Sequence, residues 1–212
     1  MKKNHTDITI VLDRSGSMQS IRTDTIGGFN SFLSDQQKAQ GTASLSLHQF
    51  DDIHDTIYAG VPIGEVKPLT TETFVPRGST ALFDAIGKAI NETGARLSKE
   101  AAEHVVFVII TDGGENASKE FKSAQIKEMI KHQTDAYNWQ FVFLGANQDA
   151  FAAGGNIGVS AGNTMSFAAN AAGVNAMYNS TSANLVSMRC GAKSSMAYSD
   201  EDRKKQSLAG VK

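Results

Sequence analysis

One cysteine, three prolines and one tryptophan stand in a chain of 212 residues. Cys190 alone closes no internal disulfide and builds no cysteine-based zinc cage, and its solitude suits a reducing compartment. No apolar stretch approaches the roughly 20 residues of a membrane-spanning helix; even His104 to Thr111 stops at Asp112. Neither sign of charge dominates, since 20 basic residues against 22 acidic ones leave a formal net charge of −2. The basic excess that phosphate-backbone binding requires is therefore missing, and nucleic acid is not expected as a partner. The apolar run Ile8 to Leu12 is too short for the core of a signal peptide and ends in Asp13. These absences together lead us to expect a cytoplasmic protein without membrane association. Several catalytic signatures are lacking too: there is no P-loop G-x-x-x-x-G-K-[ST], no G-x-S-x-G elbow and no H-E-x-x-H. The glycine-rich run Gly154 to Gly158 lacks the G-x-G-x-x-G spacing of a dinucleotide site and reads as a turn.

What the chain does contain is a series of short apolar runs rich in β-branched residues, most of them separated by stretches of helical periodicity. That pattern predicts an α/β fold around a sheet buried on both faces. Asp7 to Asp13 reads as the first strand, and Ile21 to Gln40, with Ile26, Phe29, Phe32 and Leu33 at helical spacing, as the helix after it, stopped near Gly41. The runs Ala43 to Phe50 and Thr56 to Val61 are separated only by Asp51 to Asp55, too short a link for a parallel crossover, so they should pair as an antiparallel hairpin. Pro62 to Gly78 holds all three prolines and reads as loop with at most one helical turn. Thr80 to Leu97 follows as a helix, and His104 to Thr111 as the strongest, hence central, strand. A helix over Ser118 to Gln133, capped by Ser118 with Glu120 in its first turn, and a strand over Trp139 to Leu144 come next. Beyond a short helix over Asn147 to Gly155, for which Asn147 and Asp149 read as caps, with a place on the crevice rim as the lesser alternative, we expect an edge strand near Asn163 to Phe167. A final helix should lie within Asn170 to Met188, packed by Val174, Met177, Leu185 and Val186. Residues 1–198 are expected to form one domain, and the polar segment Ser199 to Lys212 a flexible tail.

Two strand ends carry the chemistry. The first runs into Asp13-Arg14-Ser15-Gly16-Ser17, which puts one carboxylate and two hydroxyls at alternate positions of a tight turn. The central one ends in Thr111-Asp112-Gly113-Gly114-Glu115-Asn116, where glycine permits a sharp turn after the aspartate. Open α/β sheets bind ligands at the carboxyl ends of their strands. If these strands are neighbours, their carboxylates meet in one crevice. A donor set of oxygens alone, with two formal negative charges, suits a hard divalent cation, magnesium first. A second polar group, His48, Asp51, Asp52, His54 and Asp55, reads as solvated charges beside a strand histidine, with transition-metal binding as the lesser alternative.

Asp13-Arg14-Ser15-Gly16-Ser17 resembles the Asp-x-Ser-x-Ser signature of the metal-ion-dependent adhesion site in von Willebrand factor A domains. Gly78-Ser79-Thr80-Ala81-Leu82 is similar to that family's Gly-Gly-Thr segment, with Ser79 for the second glycine, and Thr111-Asp112-Gly113 resembles its strand-four aspartate. Taken alone, Thr80 also reads as a helix cap and Asp112 as a strand terminus; it is their joint occurrence, in order, that speaks for a site. The resemblance implies a three-layer, doubly wound, mostly parallel sheet of order 3-2-1-4-5-6 with strand three antiparallel. It implies that Ser15, Ser17 and Thr80 ligate the ion (Mg2+, or Mn2+ or Ca2+ in its place) by their hydroxyls. Asp13 and Asp112 would then act mostly through water, and an Asp or Glu carboxylate of a partner protein would fill the open position. It points to a non-catalytic binding module of bacterial or phage type. The rival reading is a magnesium-dependent phosphohydrolase with Asp13 as nucleophile. Against it, Ser15 stands where such sites place a second carboxylate as general acid.

Overall fold

The computed structural model describes residues 2–146 and 149–210. Its centre is a six-stranded sheet of order β3-β2-β1-β4-β5-β6, formed by β1 (Lys2–Asp13), β2 (Thr42–Phe50), β3 (His54–Pro62), β4 (Ala102–Thr111), β5 (Gln140–Ala146) and β6 (Thr164–Phe167). β1 pairs in parallel with β2 and β4, β4 with β5 and β5 with β6; only β2 and β3 run antiparallel, as their short link dictates.

Alternation along the inner strands explains why the sheet is covered twice. Ile8, Ile10 and Leu12 of β1 and Val106, Val108 and Ile110 of β4 face one layer, where α1 (Arg22–Lys38) and α5 (Ala171–Arg189) supply Phe29, Phe32, Val174, Met177 and Leu185. Val11, Val105, Phe107 and Ile109 face the other, against α2 (Leu82–Leu97), α3 (Ser123–Tyr137) and α4 (Ala150–Asn156). A strand buried on both faces has no polar period, which is why β4 reads as an unbroken apolar run. α1 and α5 come so close that a Cβ on Gly28 would lie 2.2 Å from Tyr178 Cδ2. Val186, expected among the packing residues of the last long helix, is only half-buried; Tyr178 and Met188 are buried beside the others.

Among the helices the structure departs from expectation chiefly in two places. The third helix begins at Ser123, not Ser118, because residues 115–121 are drawn across the start of α2 before any helix can form. Asp84 accepts hydrogen bonds from the backbone N–H groups of Lys119, Glu120 and Phe121 at 2.8–2.9 Å, and Ser118 donates to Glu115. The expected flexible tail is the second departure: it forms α6 (Asp200–Leu208), whose polarity conceals a docked helix. Ser199 and Asp202 make a reciprocal capping box, Arg203 donates to the carbonyls of Thr164, Ala161 and Gly162, and buried Gln206 donates to Gly173 O. Asn147, one of the two expected cap residues of α4, lies outside the described residues. The other, Asp149, caps the helix by accepting from Ala152 N. No helix among the described residues is long and apolar enough to cross a membrane.

Candidate metal centre

β1 and β4 are adjacent and parallel, with Leu12 opposite Ile110, so both deliver their terminal aspartates to the same end of the sheet. Asp13 is fully buried. Its Oδ1 accepts from Ser15 N at 2.6 Å, which closes the tight turn, and its Oδ2 accepts from the Thr111 hydroxyl at 2.5 Å. A continuous polar line runs from there to the second aspartate: the Ser15 and Ser17 hydroxyl oxygens lie 3.0 Å apart, and Ser17 donates to Asp112 Oδ1 at 2.5 Å.

Thr80 arrives on a third loop that is stitched to the other two. Gly16 N donates to Gly78 O, Arg77 N to Arg14 O and Ala81 N to Asp51 O. Asn116, from the loop after β4, holds both sides of Thr80: its side-chain oxygen accepts from Thr80 N at 2.9 Å and its N–H donates to Thr80 O at 3.0 Å. Gly78 has φ +67, and a Cβ there would lie 2.0 Å from Asp52 Oδ1, so this sharp entry suits glycine alone. Thr80 is not a helix cap, since α2 starts at Leu82 after Ala81 and has no side-chain cap bond from either residue. Glu115 serves that end instead, accepting from Phe83 N at 3.0 Å. The Thr80 and Ser17 hydroxyl oxygens both border Gly113, at 3.4 and 3.6 Å from where a Cβ would stand. All five expected residues, Asp13, Ser15, Ser17, Thr80 and Asp112, thus converge on one end of the sheet.

Electrostatics distinguish this crevice from an ordinary cluster of turn residues. Burial pushes the Asp13 carboxyl up to about 6; hydrogen bonds from Thr111 and Ser15 work against that shift, and the neighbouring Asp112 adds to it. Burial also holds Asp112 above the usual carboxylate range. Among the described residues no lysine or arginine pairs with either. Arg14, next in sequence to Asp13, turns away to Asp51 (3.1 Å) and Asp55 (2.5 Å), and Arg77 also goes to Asp51 (2.8 Å). A buried and a half-buried carboxylate, neither paired with a lysine or arginine among the described residues, stand beside three hydroxyls, an all-oxygen donor set that fits a hard divalent ion.

Sequence reasoning missed Asn116 and Glu115 as organisers of the Thr80 loop. Their signal was present in the polar Gly-Gly-Glu-Asn run after β4, but their targets lie more than thirty residues upstream. It also missed how the hairpin histidines are buried. His48 is 1% exposed, and burial, with lesser contributions from His54 and Arg96, lowers it to about 3. Burial likewise lowers His54. These are not solvated groups.

No protein-family model and no curated protein sequence matches the chain. Solved structures do match in fold. Proximal thread matrix protein 1 from the mussel byssus superimposes with a TM-score of 0.60 at 16% identity, over 88% of this chain and 46% of that one. A von Willebrand factor type A protein from Catenulispora acidiphila gives 0.58 at 12% identity over 86% and 42%. The vWF domain of the type V pili tip protein Mfa5 from Porphyromonas gingivalis gives 0.54 at 9% identity over 82% and 94%. The chain spans about half the length of the first two. With the strand order and its single antiparallel edge pair, these similarities establish that the chain has the fold of a von Willebrand factor A domain.

Proposed function

We propose that this chain is a non-catalytic, metal-dependent protein-binding module. One divalent cation, Mg2+ or in its place Mn2+ or Ca2+, would be held by the hydroxyls of Ser15, Ser17 and Thr80. Asp13 and Asp112 would compensate its charge through bound water. The position left open takes an Asp or Glu carboxylate of a partner protein, which gains because neutral hydroxyl ligands leave the ion's charge largely undiminished in a partly buried socket. The observation that carries this reading is the meeting of buried Asp13 and half-buried Asp112, both held above the usual carboxylate range and linked through Ser15 and Ser17. The mussel thread protein, a structural neighbour, is known with a zinc-occupied MIDAS motif, and this likeness supports the reading of a metal site here. The solitary cysteine favours a cytoplasmic setting. No observation favours phosphoryl transfer: Ser15 pairs with Ser17, and no second acid stands in its place.

Thermal unfolding with and without Mg2+ tests the proposal. At a hundredfold excess over its dissociation constant the ion should stabilise the native chain by about 2.7 kcal/mol, or roughly 5–10 °C for a domain of this size. Asp13→Ala and Asp112→Ala should not respond. A native chain indifferent to Mg2+ and Mn2+ alike would overturn the reading.

A further inference from the structure

A second cluster of metal-ligand side chains lies away from the carboxylate crevice, where the β2–β3 hairpin packs on α2. His48 (β2), His54 (the first residue of β3) and Glu92 (α2) each bring one ligand-type atom to within 4.8 Å of the other two. The two imidazoles are stacked, with centroids 5.1 Å apart and planes 12° from parallel. Glu92 faces both: its Oε2 lies 3.8 Å from His48 Nδ1 and its Oε1 4.0 Å from His54 Nδ1. Thr56, opposite His48 across the hairpin, lies 3.1 Å from His48 Nδ1 and donates to Glu92 Oε2 at 2.8 Å, so it orients two of the three groups. The Nε2 atoms of both histidines are buried with no hydrogen-bond partner.

We propose that His48, His54 and Glu92 form a binding site for a transition-metal dication of the zinc type, distinct from the carboxylate crevice. Imidazole nitrogens with one carboxylate select zinc-like ions over magnesium or calcium, the reverse of the preference of the all-oxygen crevice. With bonds of about 2.0–2.1 Å, two ligands of one tetrahedral ion lie about 3.4 Å apart. The present spacings therefore close on an ion with side-chain shifts of about 1 Å. Glu92 is exposed and His54 only partly buried, so both are free to make those shifts, while His48 is the fixed member. Three protein ligands leave the fourth position to water. An ion here ties the hairpin to α2. Asp51 at the hairpin tip accepts from Ala81 N, next to Thr80, so the tie stiffens one wall of the carboxylate crevice.

Zinc titration into the Asp13→Ala variant, which disables the first site, isolates the second. Calorimetry should show one Zn2+ per chain, with Mg2+ at the same concentration giving no heat. Co2+ in its place should give the intense visible absorption of tetrahedral coordination. Adding Glu92→Ala, a change at an exposed group that should leave the fold intact by circular dichroism, or His54→Ala, checked for folding in the same way, should weaken Zn2+ binding by at least about tenfold, since removing even supporting groups costs 10–100-fold at such sites. Absence of Zn2+ binding to folded Asp13→Ala overturns the proposal. So does binding that neither further substitution weakens, because the ion then sits elsewhere. These outcomes are independent of whether the native chain responds to Mg2+ at the first site.

Discussion

Replacing Asp13 by asparagine should make the metal-free protein more stable at neutral pH while abolishing its response to metal. Asp13 is fully buried, and its carboxyl, pushed up to about 6 chiefly by burial, binds a proton more tightly in the folded chain than in the unfolded one. The stability linked to that proton is present on the acid side and is lost as pH rises through about 6. A shift of about two pK units corresponds to about 3 kcal/mol, of which about 2 kcal/mol falls between pH 4.5 and pH 8. Asparagine is isosteric, its oxygen can still accept from Ser15 N, and its amide can donate to the Thr111 hydroxyl. That hydroxyl lies 3.0 Å from Gly113 O and can turn its own proton there. Relief of the neighbouring Asp112, whose carboxyl burial also holds high, acts in the same direction. The assay is denaturant unfolding in a chelator at pH 4.5 and pH 8, native chain against variant. We expect near-equal stability at pH 4.5 and an advantage for the variant of about 2 kcal/mol at pH 8. A variant that is equally or less stable at pH 8, or a difference that does not change with pH, would refute the claim that the crevice holds uncompensated charge.

Other substitutions probe separate links of the account. Thr111→Val removes the hydroxyl that donates to Asp13 Oδ2; it should lower stability in the metal-free state at pH 8 by about 1–3 kcal/mol and weaken Mg2+ binding, both read by unfolding with and without the ion. Gly28→Ala drives a methyl into the Tyr178 ring between α1 and α5; chemical denaturation should show a loss of about 1–3 kcal/mol with the Mg2+ response unchanged. Arg203→Ala removes three hydrogen bonds to carbonyls around β6 and should raise amide hydrogen exchange throughout α6, whereas a tail that was already frayed would show no change.

The sheet was legible in the sequence because burial on both faces leaves Val105 to Ile110 of β4 without a polar residue, and because the three residues between β2 and β3 permit only a hairpin. The convergence of Asp13, Ser15, Ser17 and Asp112 was legible for a related reason: each follows an apolar run closely enough that a strand must deliver it. What stayed hidden depends on partners distant in sequence. The start of α3 is displaced by Asp84 and Glu115, which take backbone donors from the segment that would otherwise coil. α6 carries its contacts in the guanidinium of Arg203 and in Gln206, residues that a hydropathy pattern counts as solvated. Glu92 is 38 positions from His54 and on another element, so the grouping of His48, His54 and Glu92 exists only once α2 has packed on the hairpin.

The central claim is that the ion keeps one position open for a partner's carboxylate, and water-proton relaxation with Mn2+ tests it directly. Mn2+ bound to the native chain should enhance relaxation through water at the open position, Asp112→Ala should show no enhancement, and a glutamate-bearing peptide should quench the native signal where its glutamine counterpart does not. No enhancement in the native chain, or equal quenching by both peptides, would contradict the account.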